Sequence, residues 1–277
     1  MPDERKIGLV VGSGGVKCAA SIGLLRVLQQ HGVTVDRVVG CSGGSLYAAA
    51  IALGFTLDHM IELTFNLWSP DLMKDYRSNL SAFQSGEKRF TEKSGLVDDA
   101  VLFAVLTEVF GESTFTDTTI PLHIIAADFM TGERHILEQG RIFDAVRASV
   151  AIPAVFPPWE VDGRLLVDGA VVDPLPIDVA IQHRADVIIA MGFELDYRSR
   201  MRSMTAVNAH LNSIYINNLL RKSLAFHTLA HHDEIILIIP EFDRPISTFS
   251  TDSIPYIVAQ GEMAAEQDMA YLKSLLS

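Results

Sequence analysis

The chain has 277 residues, and 22 Lys and Arg stand against 34 Asp and Glu, which gives a formal net charge of −12. Hydrophobic residues make up 49% of the chain, a share that excludes a globally disordered protein. The acidic balance argues against a nucleic-acid-binding protein, because such proteins need a basic surface for phosphate contacts. It also argues against electrostatic capture by an anionic membrane, so any lipid contact would have to be apolar.

Two cysteines, Cys18 and Cys41, are too few for a disulfide framework and lack the spacing of zinc ligands. The apolar run at residues 7 to 11 is too short for a signal peptide, and no run reaches the ~18 apolar residues of a membrane span. We therefore expect a soluble cytoplasmic protein without a metal or cofactor. The two thiols are either small buried core residues or redox-sensitive groups.

The first 55 residues alternate twice between strand and helix. Residues 7 to 11 predict a buried strand, residues 16 to 30 a helix, residues 33 to 40 a second strand and residues 46 to 53 a second helix. Such alternation predicts an α/β fold with a parallel sheet, in which ligands bind beyond the carboxyl ends of the strands.

Residues 56 to 119 interrupt this alternation. Helical patterns at 57 to 67 and 95 to 110 flank a polar stretch at 76 to 94, which indicates a helical excursion from the sheet that could act as a cap or lid. Its apolar residues either line an acyl pocket or simply belong to the core; they are Phe65, Leu67, Trp68, Leu72 and Met73.

The alternation resumes after residue 120. Strands are predicted at 122 to 127, 165 to 167, 187 to 191 and 235 to 239, and helices at 143 to 149, 206 to 230 and 255 to 276. Asp162-Gly163 is typical of a hairpin turn. No linker or repeat is visible, so we expect one domain over 1 to 277, with a core at about 6 to 200 and a C-terminal helix-strand-helix at about 203 to 277.

A G-x-S-x-G motif lies at Gly40-Cys41-Ser42-Gly43-Gly44, between a predicted strand and a predicted helix. In that context the sharp turn exposes a serine hydroxyl, and the helix N-terminus behind it favours developing negative charge. The motif predicts that Ser42 is a nucleophile. The alternative is a glycine-rich turn that serves close packing of the strand against the helix.

A second glycine-rich loop spans residues 12 to 17. It lacks the closing Gly-Lys-Ser/Thr of a phosphate-binding loop, and Lys17 occupies the third glycine position of a dinucleotide fingerprint. Two interpretations of this loop remain: a nest of backbone N–H groups that binds an oxyanion, or a tight turn without a ligand.

A serine nucleophile needs a base, and none of the nine histidines lies in an evident turn after a strand. Asp168 directly follows a predicted strand and opens the turn Asp168-Gly169-Ala170, a position that would present its carboxylate at the edge of the sheet. An ordinary turn is the competing interpretation of this Asp-Gly pair.

Taken together, these three elements resemble the patatin-like phospholipases, which carry a glycine-rich loop with a basic residue, a G-x-S-x-G motif and a D-G-A/G motif in this order. Gly14 to Lys17, Gly40 to Gly44 and Asp168 to Ala170 fill those positions. The likeness extends through residues 147 to 153, 156 to 158, 162 to 169, 174 to 176 and 185 to 189, and covers most of residues 6 to 192.

The resemblance implies a three-layer α/β/α fold with a mostly parallel central sheet and a Ser–Asp dyad that hydrolyses fatty-acyl esters. Ser42 would attack the ester carbonyl, Asp168 would act as general base, and the backbone N–H groups of Gly14 and Gly15 would hold the oxyanion. An acyl group on Ser42 would then be hydrolysed by water. The supporting residues would be Lys17, Gly40, Gly44 and Gly169.

The chain departs from the family pattern at the glycine-rich loop. Ser13 and Cys18 stand where glycine is usual, and Lys17 stands where arginine is usual. Lysine keeps the charge but lacks the planar fork of a guanidinium group.

Other functions remain open at this stage. An α/β-hydrolase or an acyltransferase would use a serine with a histidine base, and a non-catalytic lipid-binding or acyl-binding module would keep the fold without the chemistry. The expected partner is a lipid or another fatty-acyl ester, with transient contact to a membrane surface as a further possibility. Arg198, Arg200 and Arg202 either touch lipid headgroups or form a solvated loop.

Overall fold

The computed structural model describes residues 5–68, 72, 76–89, 91–97, 99–197, 199–230, 234–246 and 251–276. The strands of its sheet are β1 (Ile7–Val11), β2 (Arg37–Cys41), β3 (Leu122–Asp128), β4 (Arg134–Leu137), β5 (Trp159–Val161), β6 (Arg164–Asp168), β7 (Val187–Met191) and β8 (Glu234–Ile238). The helices are α1 (Ala20–Gln30), α2 (Gly43–Ala52), α3 (Leu57–Leu67), α4 (Tyr76–Ser85), α5 (Ala100–Phe110), α6 (Ile142–Ser149), α7 (Ile177–Gln182), α8 (Met204–Ala230) and α9 (Ile254–Leu276).

One mixed sheet contains all eight of these strands. Hydrogen-bonded neighbours follow one another as β5, β6, β3, β2, β1, β7 and β8, and β4 also pairs with β3. The strands from β3 through β2, β1 and β7 to β8 run parallel, whereas β4, β5 and β6 are joined to the sheet by antiparallel pairings. The sequence prediction of an α/β fold with a mostly parallel central sheet is confirmed.

Both faces of the sheet are buried, each in its own hydrophobic core. Successive residues of a strand point to opposite faces and therefore belong to different cores. Leu9 and Val11 belong to the larger core, which also contains apolar residues of α1, α2 and α9. Val10 belongs to the smaller core on the other face, where α7 and α8 pack. The sheet therefore lies between two layers of helices, as the resemblance implies.

Several elements differ from the sequence predictions. The helix predicted at 16 to 30 is divided into a 3-10 turn, Gly15–Ala19, and the α-helix α1. The second strand begins at Arg37 rather than at residue 33, and the helix predicted from residue 95 begins at Ala100. The polar stretch at 76 to 94 contains α4, which was not predicted although Tyr76, Leu80 and Phe83 recur at helical spacing; none of its residues is buried. Two short elements, β4 and α7, were not predicted at all.

The excursion at 56 to 119 contributes to the core on the α1 side of the sheet. Leu67, Trp68 and Leu72 are 2%, 5% and 3% exposed, so these three are core residues and do not line an open pocket. Phe65 is 43% exposed, and Met73 lies outside the described residues. None of the described helices combines the length and apolar character that a membrane-spanning helix needs.

Candidate active site

Ser42 lies at the sharp turn between β2 and α2. Its φ of 55° and ψ of −131° put a side-chain-bearing residue in the left-handed region, a conformation that costs on the order of 1–3 kcal/mol. Two hydrogen bonds stabilise the turn: Ser45 donates to Ser42 O from its backbone N–H at 2.9 Å and from its hydroxyl at 2.6 Å. The α2 N-terminus follows immediately, so the partial positive charge of this helix end lies beside the Ser42 hydroxyl.

Three glycines of the predicted site lie where the backbone of another segment approaches too closely for a side chain. A Cβ on Gly44 would lie 2.2 Å from Val11 O, and one on Gly169 would lie 2.4 Å from Ile125 O. A Cβ on Gly40 would lie 2.6 Å from the Cβ of Ala48. The start of α2 can approach β1 and β2, and the turn after β6 can approach β3, only because these positions carry no side chain.

The register of β3 explains how Asp168 reaches Ser42. Cys41 is the partner of Ile125 on β3, and Asp168 is the partner of the next residue, Ala126. Along a strand, the backbone N–H and C=O groups of alternate residues point to the same edge. Val38 N donates to Pro121 O at the start of β3, and Phe129 N at its end donates to Leu165 O. Both contacts use odd-numbered residues, so β2 and β6 lie along the same edge of β3. The end of β6 thus meets the end of β2, and the residue after Cys41 faces the Asp168 carboxyl.

The two side chains are joined by a short hydrogen bond. Ser42 Oγ donates to Asp168 Oδ2 at 2.6 Å, and Ala170 N donates to Asp168 Oδ1 at 2.8 Å. Ser42 is 7% exposed and Asp168 is 3% exposed. Burial raises the pKa of Asp168 to about 6, although the hydrogen bonds from Ser42 and Ala170 act in the opposite direction. A carboxylate with this pKa is a much better proton acceptor than an exposed aspartate.

Sequence reasoning did not assign a role to Ser149, which bridges the turn to the sheet. Ser149 Oγ accepts a hydrogen bond from Ser42 N at 2.9 Å and donates one to Ile125 O at 2.6 Å. Its side chain is fully buried at the end of α6. Ser149 lies within residues 147 to 153, one of the stretches that carried the family resemblance, and that was the signal available in the sequence.

The glycine-rich loop lies directly against the Ser42 turn. A Cβ on Gly43 would lie 3.0 Å from Gly15 N, and Gly15 has a positive φ of 58°. Ser13 N donates to Pro174 O and Lys17 N donates to Gly14 O, but the N–H groups of Gly14 and Gly15 have no hydrogen-bond acceptor within the described part of the chain. Two unused backbone donors therefore lie near the serine.

The charged and thiol groups of this loop have partners elsewhere. Lys17 Nζ donates to Glu194 O at 2.9 Å and to Asp196 Oδ1 at 3.0 Å, which ties the loop to the segment after β7. Cys18 Sγ donates to Gly12 O at 3.3 Å. Burial and, secondarily, the charge of Asp168 raise the pKa of both Cys18 and Cys41 well above that of a free thiol. Neither is an activated thiolate, which supports the interpretation as buried core residues over redox control.

None of the described histidines has a hydrogen bond to Ser42 or Asp168. His231 and His232, the first alternatives to Asp168 as base, lie outside the described residues. His123 and His183 lie at the amino ends of β3 and β7, whereas Ser42 follows the carboxyl end of β2. Within the described residues, the Ser42 hydroxyl therefore has a carboxylate, and not an imidazole, as its hydrogen-bond partner.

Comparison with known proteins identifies the family. The family model for patatin-like phospholipases matches residues 9–181, more than half of the chain. The chain therefore belongs to the patatin-like phospholipase family, as its motifs predicted.

Two relatives show how much of the chain is shared. An uncharacterised NTE family protein of Mycobacterium tuberculosis is 29% identical over 186 residues, which cover 67% of this chain and 48% of that protein. A patatin-like phospholipase domain-containing protein of Caenorhabditis elegans is 31% identical over 186 residues, which cover 66% of this chain and 13% of that protein. The chain thus spans about half the length of the mycobacterial relative.

Among solved structures, VipD from Legionella pneumophila superposes with a TM-score of 0.50 at 14% sequence identity. The superposition covers 95% of this chain and 66% of VipD. At this level of identity the likeness demonstrates a shared fold.

Proposed function

We propose that this protein is a serine acyl hydrolase that cleaves fatty-acyl esters of phospholipids, lysophospholipids or related lipids. The observation that carries the proposal is the buried hydrogen bond of 2.6 Å from Ser42 Oγ to Asp168 Oδ2. Membership of the patatin-like phospholipase family supports the substrate class. The activity requires neither a metal nor a cofactor in this scheme.

In the acylation step, Ser42 Oγ attacks the ester carbonyl carbon while its proton passes to Asp168 Oδ2. The carbonyl π electrons move to the oxygen, and the resulting oxyanion accepts hydrogen bonds from Gly14 N–H and Gly15 N–H. The carbonyl then re-forms, the C–O bond to the alcohol breaks, and Asp168 returns the proton to the departing alkoxide. The products are a free alcohol and an acyl ester on Ser42.

Deacylation repeats the sequence with water. Asp168 accepts a proton from the water as its oxygen attacks the acyl carbonyl, and the same backbone donors hold the second oxyanion. The C–O bond to Ser42 breaks, and the proton on Asp168 returns to Ser42 Oγ. The fatty acid leaves and the dyad is restored.

A fluorophosphonate probe tests this proposal, because it labels only an activated serine. We expect the wild type to be labelled and Ser42→Ala not to be labelled, with Asp168→Asn labelled at a rate reduced at least roughly a hundredfold by loss of the base. Ser85→Ala, a change at an exposed serine of α4, is the control and is expected to label like the wild type. A folded wild type that the probe does not label would instead indicate a non-catalytic lipid-binding module.

We also propose that α8 and the segment before it contact the lipid surface. At 100° per residue, the exposed apolar residues of α8 fall within one arc of the helix, which also carries the exposed Asn208, Asn218 and Lys222. The apolar residues are Met204, Val207, Leu211, Tyr215, Phe226 and Leu229. The preceding segment adds exposed Tyr197, Arg200, Met201 and Arg202, whereas Arg198 lies outside the described residues. Because α8 packs against the 3-10 turn Gly169–Val171 that follows Asp168, this face lies on an element in contact with the proposed site.

A further inference from the structure

Two imidazoles and one carboxylate converge on the face of the sheet that α7 covers. His123 Nε2 lies 3.5 Å from Glu138 Oε2, and His183 Nε2 lies 4.0 Å from the same oxygen. One nitrogen or oxygen from each of the three residues lies within 4.8 Å of the other two. We propose that His123, Glu138 and His183 bind a zinc-type divalent transition-metal ion.

The backbone explains why residues so far apart in sequence meet here. The antiparallel register of β3 and β4 pairs Ile124 with Leu137, so His123 and Glu138 occupy the next opposed positions and face the same side of the sheet. His183 is the first residue after α7, and the centre of its ring lies 3.8 Å from that of His123. The sequence prediction of no metal was based on the two cysteines and did not consider these three residues as ligands.

The donor set has the chemistry of a zinc site. Imidazole nitrogens and a carboxylate oxygen are established ligands of Zn²⁺, and three protein ligands leave a fourth position for water. Magnesium and calcium prefer sets made of oxygen alone, so two imidazoles favour a transition metal.

Burial divides the three ligands into one fixed and two adjustable groups. His123 is 4% exposed and its Nδ1 has no hydrogen-bond partner among the described residues, which is unusual for a buried imidazole. The side chains of Glu138 and His183 are 55% and 34% exposed, so both can rotate toward a shared ion.

The site is separate from the proposed catalytic dyad. His123 lies at the amino end of β3, whereas Asp168 pairs with Ala126 nearer the carboxyl end. An ion here would join the β3–β4 hairpin to α7 and would take no part in ester cleavage. The proposal therefore does not depend on the proposed hydrolase activity.

Calorimetric titration of the full chain with ZnCl₂ tests the proposal, after treatment with a chelator and removal of that chelator. We expect saturable binding of about one Zn²⁺ per chain, as for a site with three protein ligands, and no binding of Mg²⁺. Glu138→Gln and His183→Ala should each weaken binding at least roughly tenfold, since even the loss of an outer partner of a zinc ligand has an effect of this size. Both changes are at partly exposed positions and leave the buried His123 in place.

The control is His31→Ala. His31 Nε2 lies 3.2 Å from Glu266 Oε1, and no third ligating side chain among the described residues joins this pair, so His31→Ala reports non-specific binding to a surface His–Glu pair. At the same zinc concentration, zinc should raise the thermal midpoint of His31→Ala as much as that of the wild type, and that of His183→Ala less. Absence of saturable zinc binding, or equal binding by the wild type and both cluster variants, would overturn the proposal.

Discussion

Burial of the Asp168 carboxyl sets the pH range in which it can accept a proton. Its pKa is raised to about 6 by desolvation, so we expect kcat/KM to fall on the acid side with an apparent pKa near 6 and to reach a plateau above it. A pH–rate profile on a soluble short-chain ester measures this directly. A profile that is flat between pH 5 and 8, about one unit below to two units above this pKa, would contradict Asp168 as the base.

The same carboxyl should destabilise the native state at high pH. Because its folded-state pKa is above the unfolded value, the contribution of Asp168 to stability is fully present below about pH 4 and is lost as the pH rises through about 6. A shift from 3.8 to about 6 corresponds to about 3 kcal/mol. We expect Asp168→Asn to be more stable than the wild type at pH 8, and urea unfolding should show this difference shrinking toward pH 4. An equal difference at both pH values would refute it.

Ser149 should affect turnover although it does not touch the substrate. Ser149→Ala removes the partner of Ser42 N–H and of Ile125 O, and an unsatisfied buried group costs about 1–3 kcal/mol. Since the nucleophile turn would lose its support, we expect kcat to fall at least roughly tenfold, equivalent to about 1.4 kcal/mol, with KM little changed. Steady-state kinetics separates the two parameters.

Ser21→Ala provides the matched comparison for Ser149→Ala. Ser21 is equally buried and also donates to a backbone carbonyl, that of Cys18, at 2.7 Å. Ser21→Ala should lower the free energy of unfolding without a comparable loss of kcat. Similar kcat values for both variants would show that Ser149 acts only as a buried core residue.

At the level of elements, the crossing of α1 and α9 shows where packing overrides local preference. A Cβ on Gly261 would lie 2.0 Å from Ala20 O, and a Cβ on Gly23 would lie 2.1 Å from Val258 O. The two helices therefore touch through their backbones at these glycines. Helix propensity alone would favour alanine at either position by about 1 kcal/mol.

We predict that Gly261→Ala instead lowers the free energy of unfolding. Overpacking of a tight contact costs about 1–3 kcal/mol, and here the new methyl group would overlap backbone that cannot rotate away. Chemical denaturation should therefore show a loss of stability, while Met263→Ala, at a position 59% exposed on the same helix, should stay close to the wild type. A more stable Gly261→Ala would mean that the helices separate easily.

Elements differed in how far their own sequences revealed them. The strands β1, β3 and β7 and the helices α3 and α9 were predicted nearly to the residue, because each carries continuous or periodic apolar residues. The helix α4 was missed because its apolar residues, Tyr76, Leu80 and Phe83, lie in a mostly polar stretch, and β4 was missed because it is only four residues long. Their existence depends on what surrounds them.

For the whole molecule, the net charge of −12 and the exposed apolar residues of α8 predict that lipid surfaces are bound by apolar contact and not by charge attraction. Binding to neutral phosphatidylcholine vesicles should be driven by apolar contact and should therefore survive high salt. The double change Met204→Glu with Leu229→Glu, at positions 76% and 87% exposed, should abolish cosedimentation with vesicles. Met263→Glu adds a charge at an exposed apolar residue of α9 and should not. Vesicle binding that the double change leaves intact would locate lipid contact elsewhere.

The amino-acid sequence by itself determined the local parts of the site. Glycines at 40, 43 and 44 around Ser42 indicate a tight strand–turn–helix, and Asp168-Gly169 indicates a turn at the end of a strand, because glycine is typical of tight turns. Which backbone segments approach these glycines was not visible in the sequence. The order of these motifs along the chain was sufficient to identify the family. It also led to the α/β architecture, since alternating strands and helices have few ways to bury their apolar faces.

Only the tertiary structure decided which of these parts meet. Asp168 reaches Ser42 across 126 residues because β6 continues the edge of β3 where β2 ends, a register that neither strand encodes alone. The same holds for Ser149 behind the nucleophile turn and for His183 beside His123. Such contacts depend on the packing of segments distant in sequence, and apolar periodicity carries no information about them. For Asp168 and Ser149 the signal in the sequence was the family resemblance.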